Sequence, residues 1–225
     1  MASVISALTS GGGGISMTGD ASGILNLNSN GTTVVAVTST GAAVTGTLAA
    51  TGAITGSSTV AGSTGILYPL TSGTAVATTS GTSIDFTSIP SWVKRITVML
   101  SGVSLSSTSN IQFQIGNGGV AKTSGYLGAY VTNTSAPAVN TLTISSGFVF
   151  SNTGASALHN GIVLISLLDS ATNTWCASGF DGESSGSRFT SVSGSVVLSG
   201  TLNMVRITST GADTFDAGSV NILYE

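Results

Sequence analysis

The run Ile111-Gln112-Phe113-Gln114-Ile115 alternates apolar and polar side chains without a break. Successive side chains of a strand leave opposite faces, so a period of two predicts a strand with one buried face and one wet face. The stretch 93–100 repeats the pattern, with Ile96, Val98 and Leu100 on one face. Further strands are predicted over 126–131, 142–150, 162–168, 174–177, 195–198, 204–208 and 220–224. Asn117-Gly118, Asn160-Gly161 and Asp181-Gly182 punctuate them as turns. No helical period of 3.6 runs through the chain. Short strands separated by turn signals imply an all-β fold, with an antiparallel β-sandwich or jelly-roll head over residues 83–225.

Residues 1–82 read differently. They carry one acidic residue, Asp20, no basic residue and one proline, Pro69. Leu48, Ile54, Val60 and Ile66 fall six residues apart, separated by small residues and Thr-Gly steps such as Thr45-Gly46, Thr51-Gly52 and Thr55-Gly56. A fixed short period marks a solenoid or an intertwined fibre. One apolar residue in six cannot enclose a core in a single chain, whereas three chains around an axis supply three inward side chains per layer. The opposing reading of this Gly/Thr-rich stretch is a flexible linker. Upstream, Leu25–Asn28 and Thr32–Val37 flank Asn30-Gly31, a strong hairpin signal. Gly11–Gly14 is a hinge or a place of close backbone approach.

Only 6% of the 225 residues are charged, against roughly 25% in ordinary soluble domains. Hydroxyls and backbone must solvate such a surface, which suits an extended, extracellular β protein. The basic residues Lys94, Arg95, Lys122, Arg188 and Arg206 are scattered and the net charge is −3. They assemble no face for nucleic acid, and neither an anionic membrane surface nor membrane insertion is indicated. The start of the chain has no basic region followed by an apolar stretch of signal-peptide length. Such a chain fits a virion component assembled in the host cytoplasm and released by lysis.

Catalysis recruits ionisable groups, and few are on offer. Asp181 and Glu183 have the spacing of a glycosidase pair, but their Gly- and Ser-rich setting reads as a solvated loop. Asp213 and Asp216 read as a loop or a cation site before the last strand. His159, the only histidine, is placed at a strand end; it could serve a Ser-His-Asp arrangement or meet two symmetry copies around a metal. Cys176 lacks a partner and reads as a buried strand cysteine. Gly116-Asn117-Gly118-Gly119 lacks the Lys-Ser/Thr of a phosphate loop. No catalytic, cofactor or metal residue is therefore assigned, and the chain is expected not to be an enzyme. Trp92, Tyr126, Tyr130, Trp175, Phe180 and Phe189 are candidates for stacking on a carbohydrate or for packing, while Phe148 and Phe150 read as core.

Two stretches carry a resemblance. The segment Ser83-Ile84-Asp85-Phe86-Thr87-Ser88-Ile89-Pro90-Ser91-Trp92-Val93-Lys94-Arg95-Ile96-Thr97-Val98-Met99 resembles one that recurs in tail-fibre and tail-associated proteins of tailed bacteriophages. The ending Phe215-Asp216-Ala217-Gly218-Ser219-Val220-Asn221-Ile222-Leu223-Tyr224-Glu225 resembles the close of the same proteins, and Asn173-Thr174-Trp175 fits the same module. Leu25–Val34 and the Thr-Gly steps after it are similar in style to phage fibre shafts. The resemblance implies a homotrimer whose residues 1–82 form a virion anchor and shaft. It implies contact with other virion proteins through the N-terminus, and a head that meets a host-surface glycan or outer-membrane component. The alternative is a capsid decoration or head-fibre protein; a polysaccharide-degrading tailspike fits less well, because carboxylates are few.

The six-residue spacing makes a prediction. Leu48→Asp, Ile54→Asp or Val60→Asp would place three carboxylates near one axis, so each variant should lose the trimer in native mass spectrometry. A variant that remains a stable trimer would remove the shaft from the account.

Overall fold

The computed structural model describes residues 25–29, 32–38, 41–45, 60–62, 65–68, 70–133, 139–184 and 188–225. The chain divides into two compact units, Met1–Ser58 and Thr59–Glu225. The described residues contain strands and no helix, and every strand pairing is antiparallel. The fold is all-β.

The first unit holds a three-stranded sheet: β1 (Leu25–Ser29), β2 (Thr32–Thr38) and β3 (Gly41–Val44). Ser29 faces Thr32 across two intervening residues, the hairpin read from the Asn30-Gly31 signal. Gly11–Gly14, Leu48 and Ile54 lie outside the described residues.

The second unit opens with a small hairpin, β4 (Val60–Gly62) and β5 (Gly65–Leu67), in which Val60 faces Leu67. Val60 and Ile66 thus sit on opposite strands of one turn-back. Two short strands follow, β6 (Thr71–Ser72) and β7 (Val76–Ala77), both paired with the last strand, β19 (Phe215–Tyr224). Residues 71–77, grouped with the shaft on composition, are hydrogen-bonded into the head. Thr78 adds a bond from its Oγ1 to the Ala217 carbonyl at 2.5 Å.

The head has two sheets. The smaller runs β11 (Val120–Ala121), β10 (Ile111–Asn117), β18 (Met204–Ser209), β8 (Ser83–Phe86), with β14 (Phe148–Phe150) also paired to β10. The larger runs β13 (Val139–Thr143), β12 (Leu127–Asn133), β17 (Arg188–Val197), β16 (Thr174–Glu183), β15 (His159–Asp169), β9 (Arg95–Leu105), β19, β6, with β7 also paired to β19. The predicted strand over 142–150 is two strands, β13 and β14, in different sheets. The sheets share one core: Ile96, Val98, Val163 and Ile165 from the larger pack with Ile111, Phe113, Ile115 and Ile207 from the smaller, all fully buried. Phe113 meets Phe150 edge-on at 4.9 Å, and Tyr126 meets Phe148 at 5.1 Å. Each such side chain contributes roughly 1.5–3 kcal/mol by leaving water.

One expectation about β10 is overturned. Its glutamines were to face water, yet Gln112 and Gln114 are each only 5% exposed. Ser146 and Gly147 lie against them. Gln112 Nε2 donates to Ser146 Oγ at 2.7 Å, and Gln114 Nε2 donates to the Ser146 carbonyl at 2.9 Å. A Cβ on Gly147 would come within 2.5 Å of Gln112 Cγ, so only glycine permits this approach. The amide side chains satisfy one another, which makes their burial tolerable. The turn after β10 behaves as predicted. Asn117 pairs with Val120 across Gly118 and Gly119, whose φ values of 63° and 75° suit the two-residue hairpin turn.

Tyr126 closes a gap in the β10 ladder. β14 pairs with β10 only as far as Phe113, and the Ile115 N–H donates instead to the Tyr126 hydroxyl at 2.9 Å. Burial pushes the Tyr126 hydroxyl up to about 12. Tyr126→Phe leaves that buried N–H unpaired and should cost about 1–3 kcal/mol, read from the urea midpoint. Because the folded state favours the neutral phenol, its contribution is intact below pH 10 and should be lost as pH rises from 10.0 to about 12. Alkaline titration of the variant should lack that part of the loss.

Candidate functional site

Asp181-Gly182 is not a turn. β16 runs through it, and the alternation Trp175, Ala177, Gly179, Asp181, Glu183 turns all five toward the interior. On the neighbouring strands His159 faces Glu183, Thr190 faces Asp181 and Arg188 faces Glu183. The register therefore gathers five polar side chains at one end of the inner face. His159 is 0%, Asp181 1%, Thr190 1% and Glu183 4% exposed. The solvated loop expected for the two carboxylates is instead the buried end of a single strand, β16. Burying them is feasible because cationic partners lie beside them.

His159 Nδ1 lies 2.7 Å from Asp181 Oδ2, and Nε2 lies 3.3 Å from Asn152 Oδ1. The orientation of the Asn152 amide is set independently. Its Nδ2 donates to the carbonyls of Ser107 at 2.8 Å and Ser109 at 3.0 Å. The atom facing the imidazole is therefore an acceptor, which also takes the Gly154 N–H at 3.1 Å. His159 Nε2 must then carry a hydrogen, and a second proton is held between Nδ1 and Asp181 Oδ2. Around this pair, Thr153 donates its hydroxyl to Glu183 Oε1, and Arg188 Nη1 donates to Ser151 Oγ at 2.7 Å. Asp181 Oδ1, Glu183 Oε2, Arg188 Nε and Thr190 Oγ1 have no protein partner. Buried groups of this kind are ordinarily completed by internal water.

Chemically the cluster is a tether. Both imidazole nitrogens are engaged, and the ring meets an asparagine rather than a serine hydroxyl. The converging-copies reading also fails, because His159 is enclosed by its own chain. Among the described residues no group of three or more His, Cys, Asp or Glu has metal-binding geometry. What the cluster does is fasten the segment 151–154 to the ends of β15, β16 and β17. Asn152, Thr153 and Arg188 were not read from the sequence. The period-two continuation of β16 through Phe180-Asp181-Gly182-Glu183 was the available signal.

The remaining acidic candidates are also structural. Asp213 Oδ2 accepts the Ser109 N–H at 2.7 Å, and the Ser109 hydrogen bonds hold its carboxyl below the usual range. Asp216 accepts the Ser104 hydroxyl. Asp85 and Arg206 form a two-point pair, both bonds 2.7 Å, joining β8 to β18.

The aromatic candidates separate. Tyr126, Tyr130 and Trp175 are buried, as are Phe148 and Phe150. Trp92 is half-buried and stacks on Tyr68 at 4.2 Å with nearly parallel rings. Phe180 and Phe189 stack at 5.8 Å on the outward face of the larger sheet, exposed by 53% and 47%. Cys176, expected to be buried, also points outward and is partly exposed.

Glu183 offers a test of the cluster. Burial pushes its carboxyl above the ordinary 4.5, outweighing the opposing pull of His159, Arg188 and the Thr153 bond. The folded chain then holds that proton more tightly than the unfolded chain, so stability from this residue is present in acid and lost as pH rises. Glu183→Gln should therefore raise the urea midpoint at neutral pH, and the difference should shrink below 4.5.

No protein-family model, curated protein or solved structure matches this chain.

Proposed function

We propose that the chain is a structural component of a tailed-bacteriophage virion, a trimeric tail-fibre or tail-tip adhesin that attaches the particle to a host-surface glycan or outer-membrane component. The observation that carries this reading is the disposition of charge in the head. Asp181, Glu183, Arg188 and His159 are turned inward and used as fastenings, while the outward face of the same strands carries hydroxyl, small and apolar side chains between Asn160 and Asp169 at its two ends. Such a molecule works by contact. The resemblance of residues 83–99 and 215–225 to phage tail-associated proteins supports the same reading. The N-terminal part would anchor the protein to other virion proteins. Three weak sites per fibre, multiplied over several fibres, would give avidity without one tight site.

Light scattering of the purified full chain should give three times the 22.0 kDa chain mass, resisting mild SDS. Immunogold labelling of virions should mark the tail. A monomer would remove the trimer, head labelling would make the protein a capsid decoration, and release of reducing sugar from host polysaccharide would make it an enzyme.

A further inference from the structure

The larger sheet is covered on its inner face by the smaller one, and among the described residues its outer face is open apart from the edge where Leu70 lies beside Thr97 and Leu223. Across that face Ile162 lies between Met99 on β9 and Phe180 on β16. Leu164 occupies the next outward position on β15, and Phe189 stacks beside Phe180. Ile162, Phe180 and Phe189 are each about half exposed, at 49%, 53% and 47%. Between these apolar side chains lie Ser178, Ser191, Ser193 and Gly182, which keep the surface low. Over 95–101, 127–133, 160–169, 174–182, 189–197 and 219–223, the charged residues that point outward both stand at the rim: Arg95, which pairs with Glu225, and Asp169, which faces Thr174 at the end of β15. An ordinary soluble surface is far richer in charge, and a contiguous apolar patch of this kind marks a contact surface.

We infer that this outer face is where copies of the chain meet. Two features on the face select a second copy as its occupant. The first is charge. The chain carries a net −3, so copies repel wherever acidic groups would meet, and the carboxylates of this face, Asp169 and the Arg95-bound Glu225, stand at its margin and leave its centre without one. The centre can be covered by a second copy without desolvating a charge. The second is size. Eight strands spaced roughly 4.8 Å apart, each presenting about seven residues of ~3.3 Å, cover on the order of 900 Å². A standard stable interface takes roughly 800 Å² per partner. Three such faces can line a threefold axis, each meeting both neighbours. The number of copies rests on the trimeric reading above; the choice of face does not.

Cys176 supplies a native probe, because it is the only cysteine and lies on this face. In the assembled wild type it should react with a bulky maleimide at least about tenfold more slowly than in a separated chain, since reaction needs an accessible thiol. Phe180→Asp should lower the mass seen by light scattering and restore fast labelling, with the far-ultraviolet circular dichroism of a β protein retained. Ser193→Arg, which adds a charge elsewhere on the face, should do the same if Phe180→Asp fails to fold. Val120→Asp, on the exposed hairpin of the smaller sheet, should change neither reading. An oligomer whose Cys176 reacts as fast in the wild type as in Phe180→Asp would overturn the face and leave the trimer standing. A dimer separated by Phe180→Asp would uphold the face and remove the trimer. A wild-type monomer would overturn the inference, whether its Cys176 is open or covered by another part of its own chain.

Discussion

The hydrogen bond between His159 and Asp181 is the interaction on which one end of the head depends. It sits at 2.7 Å in a region closed to solvent. Without the imidazole, Asp181 would be an unpaired carboxylate in the interior, a costly state. Without Asp181, the ring would lose the acceptor that holds its second proton. Asn152 joins the pair to the backbone at Ser107 and Ser109. Loops from both sheets are therefore tied to the ends of β15, β16 and β17 through one small polar network. Within it the bonded atoms of His159, Asp181 and Asn152 fix one another's orientation.

This arrangement inverts the usual distribution of charge on a half-buried sheet. A strand gives its two faces to alternate residues, so the choice of inward residues determines what is left outside. On β16 the inward set ends in Asp181 and Glu183, and the outward set includes Cys176, Ser178 and Phe180. The neighbouring strands repeat the choice, with Arg188 and His159 inward and Phe189 and Ile162 outward. The centre of the outer face is consequently low, uncharged and partly apolar. An adhesive or assembling protein can use such a surface.

The smaller sheet shows the limit of reading polarity as exposure. Gln112 and Gln114 alternate with three apolar residues and still lie inside the protein. Their amides can donate and accept among themselves and with Ser146, which offsets the loss of water. Asp85 and Arg206 lie on the same sheet but remain partly exposed, where a two-point pair needs no such cover. Amide burial of this kind depends on a segment more than thirty residues away in sequence, which local pattern does not reveal.

Much of the strand pattern was legible from alternation and turn chemistry alone. Ile96, Val98 and Leu100 share a buried face, Asn117-Gly118 begins a turn, and Leu25–Asn28 pairs across Asn30-Gly31, because period and backbone preference are local properties. The buried cluster was not legible. Asp181-Gly182 has the chemistry of a turn, and only pairing with β15 and β17 holds it extended. Strand register brings His159, Asp181 and Arg188 together, and register is a relation between distant segments. The sequence by itself determined that the chain would be β-structured and poor in charge. Tertiary structure alone decided where its few charges went, because the cost of burying an ion depends on partners that only the folded sheet supplies.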